Sequence, residues 1–208
     1  MKKLISLFIC LVIIITSLPI SVYASDINST HEYQDAMEGI LTSYDGNQYV
    51  ITGTLISSDQ QMYSNTSSAT YAYNIPASLL SSGGSNTEYS PDSGYASTVY
   101  LTVYYSHRND RTEYLLTRVS GYWIISDENA SVESASVYYG YSCDGPLIRE
   151  YDTEDVNNYF SFSTGFTTYI PEAFSAMGAH LTVNYLIGTS RRWSFTLTNL
   201  VFNNSFWG

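Results

Sequence analysis

The feature that most limits what this chain can fold into is a strict two-residue alternation, found twice. Between Ala96 and Tyr105, Val99, Leu101, Val103 and Tyr105 occupy one parity, and Thr98, Tyr100, Thr102 and Tyr104 the other. Between His180 and Val201, Leu181, Val183, Tyr185 and Ile187 share a parity. After the turn signal Gly188–Arg191, Trp193, Phe195, Leu197 and Val201 continue it, opposite Ser194, Thr196 and Thr198. Successive side chains of a strand point to opposite faces, so this pattern builds a sheet with one apolar and one polar face. A helix would scatter both sets around its circumference. Ser and Thr on the wet face favour antiparallel pairing.

Weaker signals fill in the rest. Tyr49–Ile56 is rich in β-branched and aromatic residues. Residues 57–70 and 81–94 are rich in Ser, Asn, Gly and Thr and read as loops, with Tyr71–Ile75 between them as an edge strand ended by Pro76. Glu113–Val119 and Tyr122–Ser126 read as a hairpin turned at Ser120–Gly121, which sets Arg118 opposite Trp123 as a cation–π pair. Ser134–Cys143, Tyr159–Phe162 and Phe166–Ile170 are further strands, residues 144–158 an acidic loop, and Pro171–Met177 a helical turn. The expectation is an all-β antiparallel β-sandwich of about nine strands, jelly-roll or immunoglobulin-like, over residues 48–208. Residues 25–47 form an N-terminal extension, helical or irregular. Its helical signal is a Ser29–Glu32 capping pair followed by Tyr33, Met37, Ile40 and Leu41.

The first 24 residues read as a signal peptide. Lys2 and Lys3 precede an apolar run from Leu4 to Ile15, Pro19 breaks it, and Val22-Tyr23-Ala24 is a small-x-small cleavage site. The run is short for a membrane span. Loss of the two lysines takes the formal charge from −11 to −13 and leaves six arginines as the only fixed cations. A chain this acidic repels phosphate backbones and anionic lipid, which excludes nucleic acid as a partner and disfavours membrane insertion. With no second hydrophobic span and no sorting motif, the expected location is extracellular, secreted from a bacterium. Cys143 alone survives cleavage, so no internal disulfide forms.

Catalytic motifs are not found. His31, His107 and His180 have no neighbours at metal-ligand spacing. Cys143 is followed by Asp144, which works against a thiolate, and reads as an inert thiol. No Gly-x-Ser-x-Gly elbow occurs. Carboxylates crowd the segment 144–155, and Asp152, Glu154 and Asp155 are candidate ligands for Ca²⁺, a cation that wants several oxygens; no other cofactor is implied. The same acids are the only material for a glycan hydrolase. What stands out is the aromatic content, 15% of residues with 21 Tyr. Tyr100, Tyr104, Tyr138 or Tyr139, and Tyr141 are expected on outward faces. Together with Arg118 and Trp123 they form the candidate binding set Tyr100, Tyr104, Arg118, Trp123, Tyr139 and Tyr141. Exposed rings on a rigid sheet suit sugar stacking and protein contacts alike. The reading is a secreted, non-catalytic binding module for cell-surface glycan or an extracellular protein. A secreted toxin or bacteriocin-like protein and a carboxylate-dependent glycan hydrolase are the alternatives.

Overall fold

A computed structural model describes residues 36–60, 65–81, 94–144 and 148–204, all within the unit Tyr33–Gly208. The signal-peptide segment 1–24, the Ser29–Glu32 cap and His31 lie outside the described residues.

Among the described residues, eleven strands form one antiparallel sheet. They are β1 (Ala36–Thr42), β2 (Gln48–Gln60), β3 (Thr66–Pro76), β4 (Tyr95–Arg108), β5 (Glu113–Ile125), β6 (Ala130–Cys143), β7 (Ile148–Asp155), β8 (Tyr159–Ser163), β9 (Ile170–Pro171), β10 (Ser175–Ile187) and β11 (Arg191–Asn203). One short helix, α1 (Ala77–Ser81), follows β3. The spatial order is β7-β6-β10-β11-β1-β2-β3-β4-β5-β8, with β9 added to β5.

The sheet curls so that its apolar face closes on itself. Leu181 pairs with Val137 on one side and Leu197 on the other, and Leu197 with Gly39; all four lie on this inner face. Across the interior, one arm (β7, β6, β10, β11) meets the other (β3, β4, β5, β8). Asn199 of β11 donates from Nδ2 to the carbonyls of Ala69 (3.0 Å) and Leu101 (2.8 Å) on the facing strands. Tyr73 donates its hydroxyl to the Thr198 carbonyl. Tyr185 and Ser97 share a hydrogen bond of 3.0 Å, and Tyr73 meets Phe195 edge-on at 5.8 Å. Near the sheet ends, Tyr139 of β6 packs on Phe162 of β8. Each fully buried Leu, Val or Phe of this interior contributes roughly 1.5–3 kcal/mol.

Glycines mark where rings lie flat on the inner face. A Cβ at Gly121 would sit 2.7 Å from the Phe160 ring, and one at Gly39 the same distance from the Phe195 ring. The aromatic side chain covers a backbone that has no side chain of its own.

Several sequence expectations are corrected. Met37–Leu41 is not helical: β1 lies between β11 and β2, so the sheet takes in residues assigned to an extension. Its Met37, Gly39 and Leu41 are the buried parity of a strand, and the i, i+4 coincidence imitated a helix. Tyr71–Ile75 is not an edge but an interior strand, with Tyr71, Tyr73 and Ile75 fully buried. Ser-rich residues 57–60 and 66–70 are strand, not loop. Ser120–Gly121 is no turn, because β5 runs straight through it; Gly121 is required for close packing instead. The acidic loop contains an edge strand, β7. Residues 164–169 are irregular, and only Ile170 and Pro171 pair. Pro171–Met177 bends through Phe174 at φ 58° rather than forming a helical turn.

Candidate functional site

The outer face of the curled sheet carries two groups of exposed rings, one on each arm. The first is a trough built by four strands. Its central row runs Tyr151–Gly140–Gly178–Leu200 across β7, β6, β10 and β11. The row on one side is Thr153–Tyr138–His180–Thr198, and on the other Arg149–Ser142–Ala176. Two glycines side by side leave a floor without side chains, and Tyr151 and Leu200 stand at its ends. The resulting groove has a volume of about 520 Å³. The floor has to be glycine. A Cβ on Gly140 would lie 2.7 Å from the Tyr151 Cα, and one on Gly178 2.8 Å from the Leu200 Cα. A register shift between Met177 and Gly178 brings β10 this close to β11.

The rings of Tyr138 and Tyr151 are 5.6 Å apart and tilted by 41°, with exposures of 43% and 60%. Neither covers the other. Burial lowers the His180 pKa, so the ring is neutral at pH 7, and its Nδ1 shares a 2.9 Å hydrogen bond with Thr198. Tyr138 flanks it at 6.2 Å. Below the rim, Tyr141 donates its hydroxyl to Glu150. Burial first, and then that carboxylate, push the Tyr141 pKa up to about 12. Asp144 and Arg149 supply charges of opposite sign at the rim.

The second group is a ladder on β4, β5 and β8. Tyr100 pairs with Tyr122, and Tyr122 with Tyr159. Tyr100 and Tyr122 stack at 4.2 Å and 12°, covering each other's faces. Tyr159, on the edge strand, is 77% exposed and lies 6.4 Å from Tyr122. Two outer-face pairs further along, beyond Thr102–Ser120, Arg118 sits 3.8 Å above the Tyr104 ring.

The residues singled out from sequence are therefore divided. Tyr100, Tyr104 and Arg118 share the outer face of the second arm. Trp123, Tyr139 and Tyr141 are buried on the inner face and present no ring to a ligand. Arg118 pairs with Tyr104, and Trp123 with Val99, so the expected Arg118–Trp123 contact is replaced by Arg118–Tyr104. The cause is the missing turn: Arg118 and Trp123 lie five residues apart on the single strand β5, so they fall on opposite faces. Tyr151, Tyr122, Tyr159 and Arg149 were missed, and of the alternatives Tyr138 and Tyr139 the binding set took the one that faces inward. The parity set by Ala135 and Val137 carries the signal for Tyr138, because it turns Tyr139 and Tyr141 inward. Of the candidate Ca²⁺ ligands, Asp152 and Glu154 share one face of β7 and act on Tyr139, while Asp155 takes the opposite parity. Among the described residues no group of three or more His, Cys, Asp or Glu side chains is placed to hold a metal ion. Cys143 is a buried free thiol. No helix among the described residues is long and apolar enough to cross a membrane.

No protein-family model, curated protein or solved structure matches this chain.

Proposed function

We propose that this chain is a secreted, non-catalytic binding module of a bacterium, whose two arms act as the layers of a sandwich and whose trough takes a glycan. The observation that carries this is the Tyr138–Tyr151 pair over a floor of Gly140 and Gly178. Sugar rings present C–H faces that pack on aromatic rings and hydroxyls that need donors and acceptors. The trough offers both, with two uncovered phenol rings beside Ser142, Asp144, Arg149 and the neutral His180. The site is built on strands, which hold the rings without an ordering cost at binding. A flat, preformed, open groove suits a chain ligand that enters and leaves along its length.

Co-sedimentation of the protein with intact bacterial cell walls and insoluble polysaccharides tests the reading. Depletion from the supernatant by at least one of them, lost in Tyr151→Ala, is the expected result. Equal depletion by wild type and Tyr151→Ala would remove the trough from the account. Insensitivity to EDTA is expected, since the trough residues include no cluster of carboxylates.

A further inference from the structure

We infer that the glycan bound in the trough carries a carboxylate on an otherwise uncharged chain, and that Arg149 is the group that receives it; this rests on the glycan reading above. The six arginines, all among the described residues, meet different fates. Arg192 forms a fork to both oxygens of Glu133, at 2.7 and 2.8 Å. Arg108 bonds Glu113 at 2.6 Å and lies 4.2 Å over the Tyr169 ring. Arg118 is held over Tyr104. Arg111 and Arg191 have partners as well. Beyond the backbone ladder that pairs it with Ser142, the Arg149 side chain makes no hydrogen bond, ion pair or ring contact with the described residues. Yet the chain holds 19 carboxylates to 8 basic residues, so partners for a stray guanidinium are in excess.

Its position is as specific as its lack of a partner. Arg149 and Tyr151 are two residues apart on β7 and therefore share the outer face, which sets the guanidinium beside the most exposed ring of the trough. Guanidinium presents a planar fork that matches a carboxylate in two parallel hydrogen bonds. His180, kept neutral by burial, offers no competing positive charge. Glu150 is engaged by the Tyr141 hydroxyl. The Asp144 carboxylate at the rim repels a second carboxylate. Net charge sets the other limit. At −11 the protein repels a densely charged polyanion, so the carboxylates of the ligand are isolated among neutral sugars.

The test is a titration of the full chain with methyl glucuronide and with methyl glucoside, which differ in the carboxylate. It is followed by the trough backbone amides and the arginine Nε–H resonances in ¹H–¹⁵N spectra. The expected result is about tenfold tighter binding of the glucuronide, the size of one charge-assisted hydrogen-bonded contact. Arg149→Gln is expected to remove that difference by weakening the glucuronide about tenfold more than the glucoside, and Arg149→Lys to restore part of it. Equal affinities in wild type and Arg149→Gln, with both ligands weakened by Tyr151→Ala, would overturn the carboxylate inference and leave the glycan reading standing. In that case Arg149 is an edge-strand charge that guards against sheet-to-sheet association. Trough resonances unmoved by either sugar would overturn both.

Discussion

The two arms of the sheet display tyrosine on their outer faces to opposite effect. On β4, β5 and β8, the row Tyr100–Tyr122–Tyr159 sets a ring on each strand, and Tyr100 and Tyr122 spend their faces on one another. On β7, β6, β10 and β11, the corresponding row runs from Tyr151 over two adjacent glycines, so Tyr138 and Tyr151 border an empty floor. The same residue type rigidifies one surface and leaves the other receptive. What distinguishes them is the pair of glycines, whose place cannot be taken by any residue with a Cβ. A ladder tyrosine exposed at 37%, such as Tyr122, is therefore less available to a ligand than its count among surface aromatics implies.

Alkali separates the inside from both arms at once and has the largest expected effect. Burial raises the pKa of Tyr73, Tyr114 and Tyr185 well above the usual phenol value, and that of Tyr141 to about 12. Above about pH 10 the unfolded chain releases these protons while the folded chain keeps them, so stability is full below pH 10 and falls as pH rises beyond it. Thermal melts at stepped pH are expected to show a falling Tm from pH 10 upward. Absorbance at 295 nm is expected to show the exposed tyrosines ionising first and the buried ones only with unfolding. A single smooth titration of all tyrosines with the fold intact would break the distinction between inner and outer rings.

Substitution of the trough floor comes next. Gly178→Val drives side-chain carbon against the Leu200 backbone and is expected to cost about 3 kcal/mol in urea unfolding, the upper range for overpacking. Thr102→Val, on the outer face of the ladder arm, is expected to stay within about 0.5 kcal/mol. Asn199→Ala tests what ties the arms together. It removes donors to the Ala69 and Leu101 carbonyls and is expected to cost about 2 kcal/mol. Tyr151→Ala is expected to weaken glycan binding about tenfold, or about 1.4 kcal/mol, with Tyr122→Ala changing it less than about twofold. A reversed order would move the site to the ladder.

The smallest effect concerns the two hairpins. The β10–β11 turn places Gly188 at φ 62°, whereas the β4–β5 turn puts Asn109, Asp110 and Arg111 at 52°, 53° and 64°. A left-handed arginine is disfavoured. Arg111→Gly is expected to stabilise the ladder arm by up to about 1 kcal/mol, and Gly188→Ala to destabilise the other by a similar amount.

The sequence pattern located the long strands because each buries one parity against a full interior. The run Leu181–Ile187 and its return Trp193–Leu197 lie on the inner face as their alternation requires. Alternation fails where a bulge changes parity, as at Thr117, and it does not place turns: the candidate pair Arg118–Trp123 was lost because β5 runs on through Ser120–Gly121. It also fails where both parities are aromatic. In Tyr138–Tyr141 nothing local says which ring faces out, and the decision comes from Ala135 and Val137 upstream and from the close approach of β7 to Gly140. Gly121 read as a turn because its true cause, the ring of Phe160, lies on another strand. The trough was illegible for the same reason. It depends on register between β6, β7, β10 and β11, and Gly140 and Gly178 are 38 positions apart.

The seam between β1 and β11 has a consequence in time. Gly39 pairs with Leu197, so an early strand depends for one of its two neighbours on a strand made 158 residues later. During synthesis β1, at the margin of the meander β1–β5, keeps one edge unpaired until β11 arrives. Closing so distant a pair is slow, and the waiting chain is the state most open to aggregation or to a holding chaperone. Maturation of this protein is thus an event of the whole chain, with no partial product that has both arms.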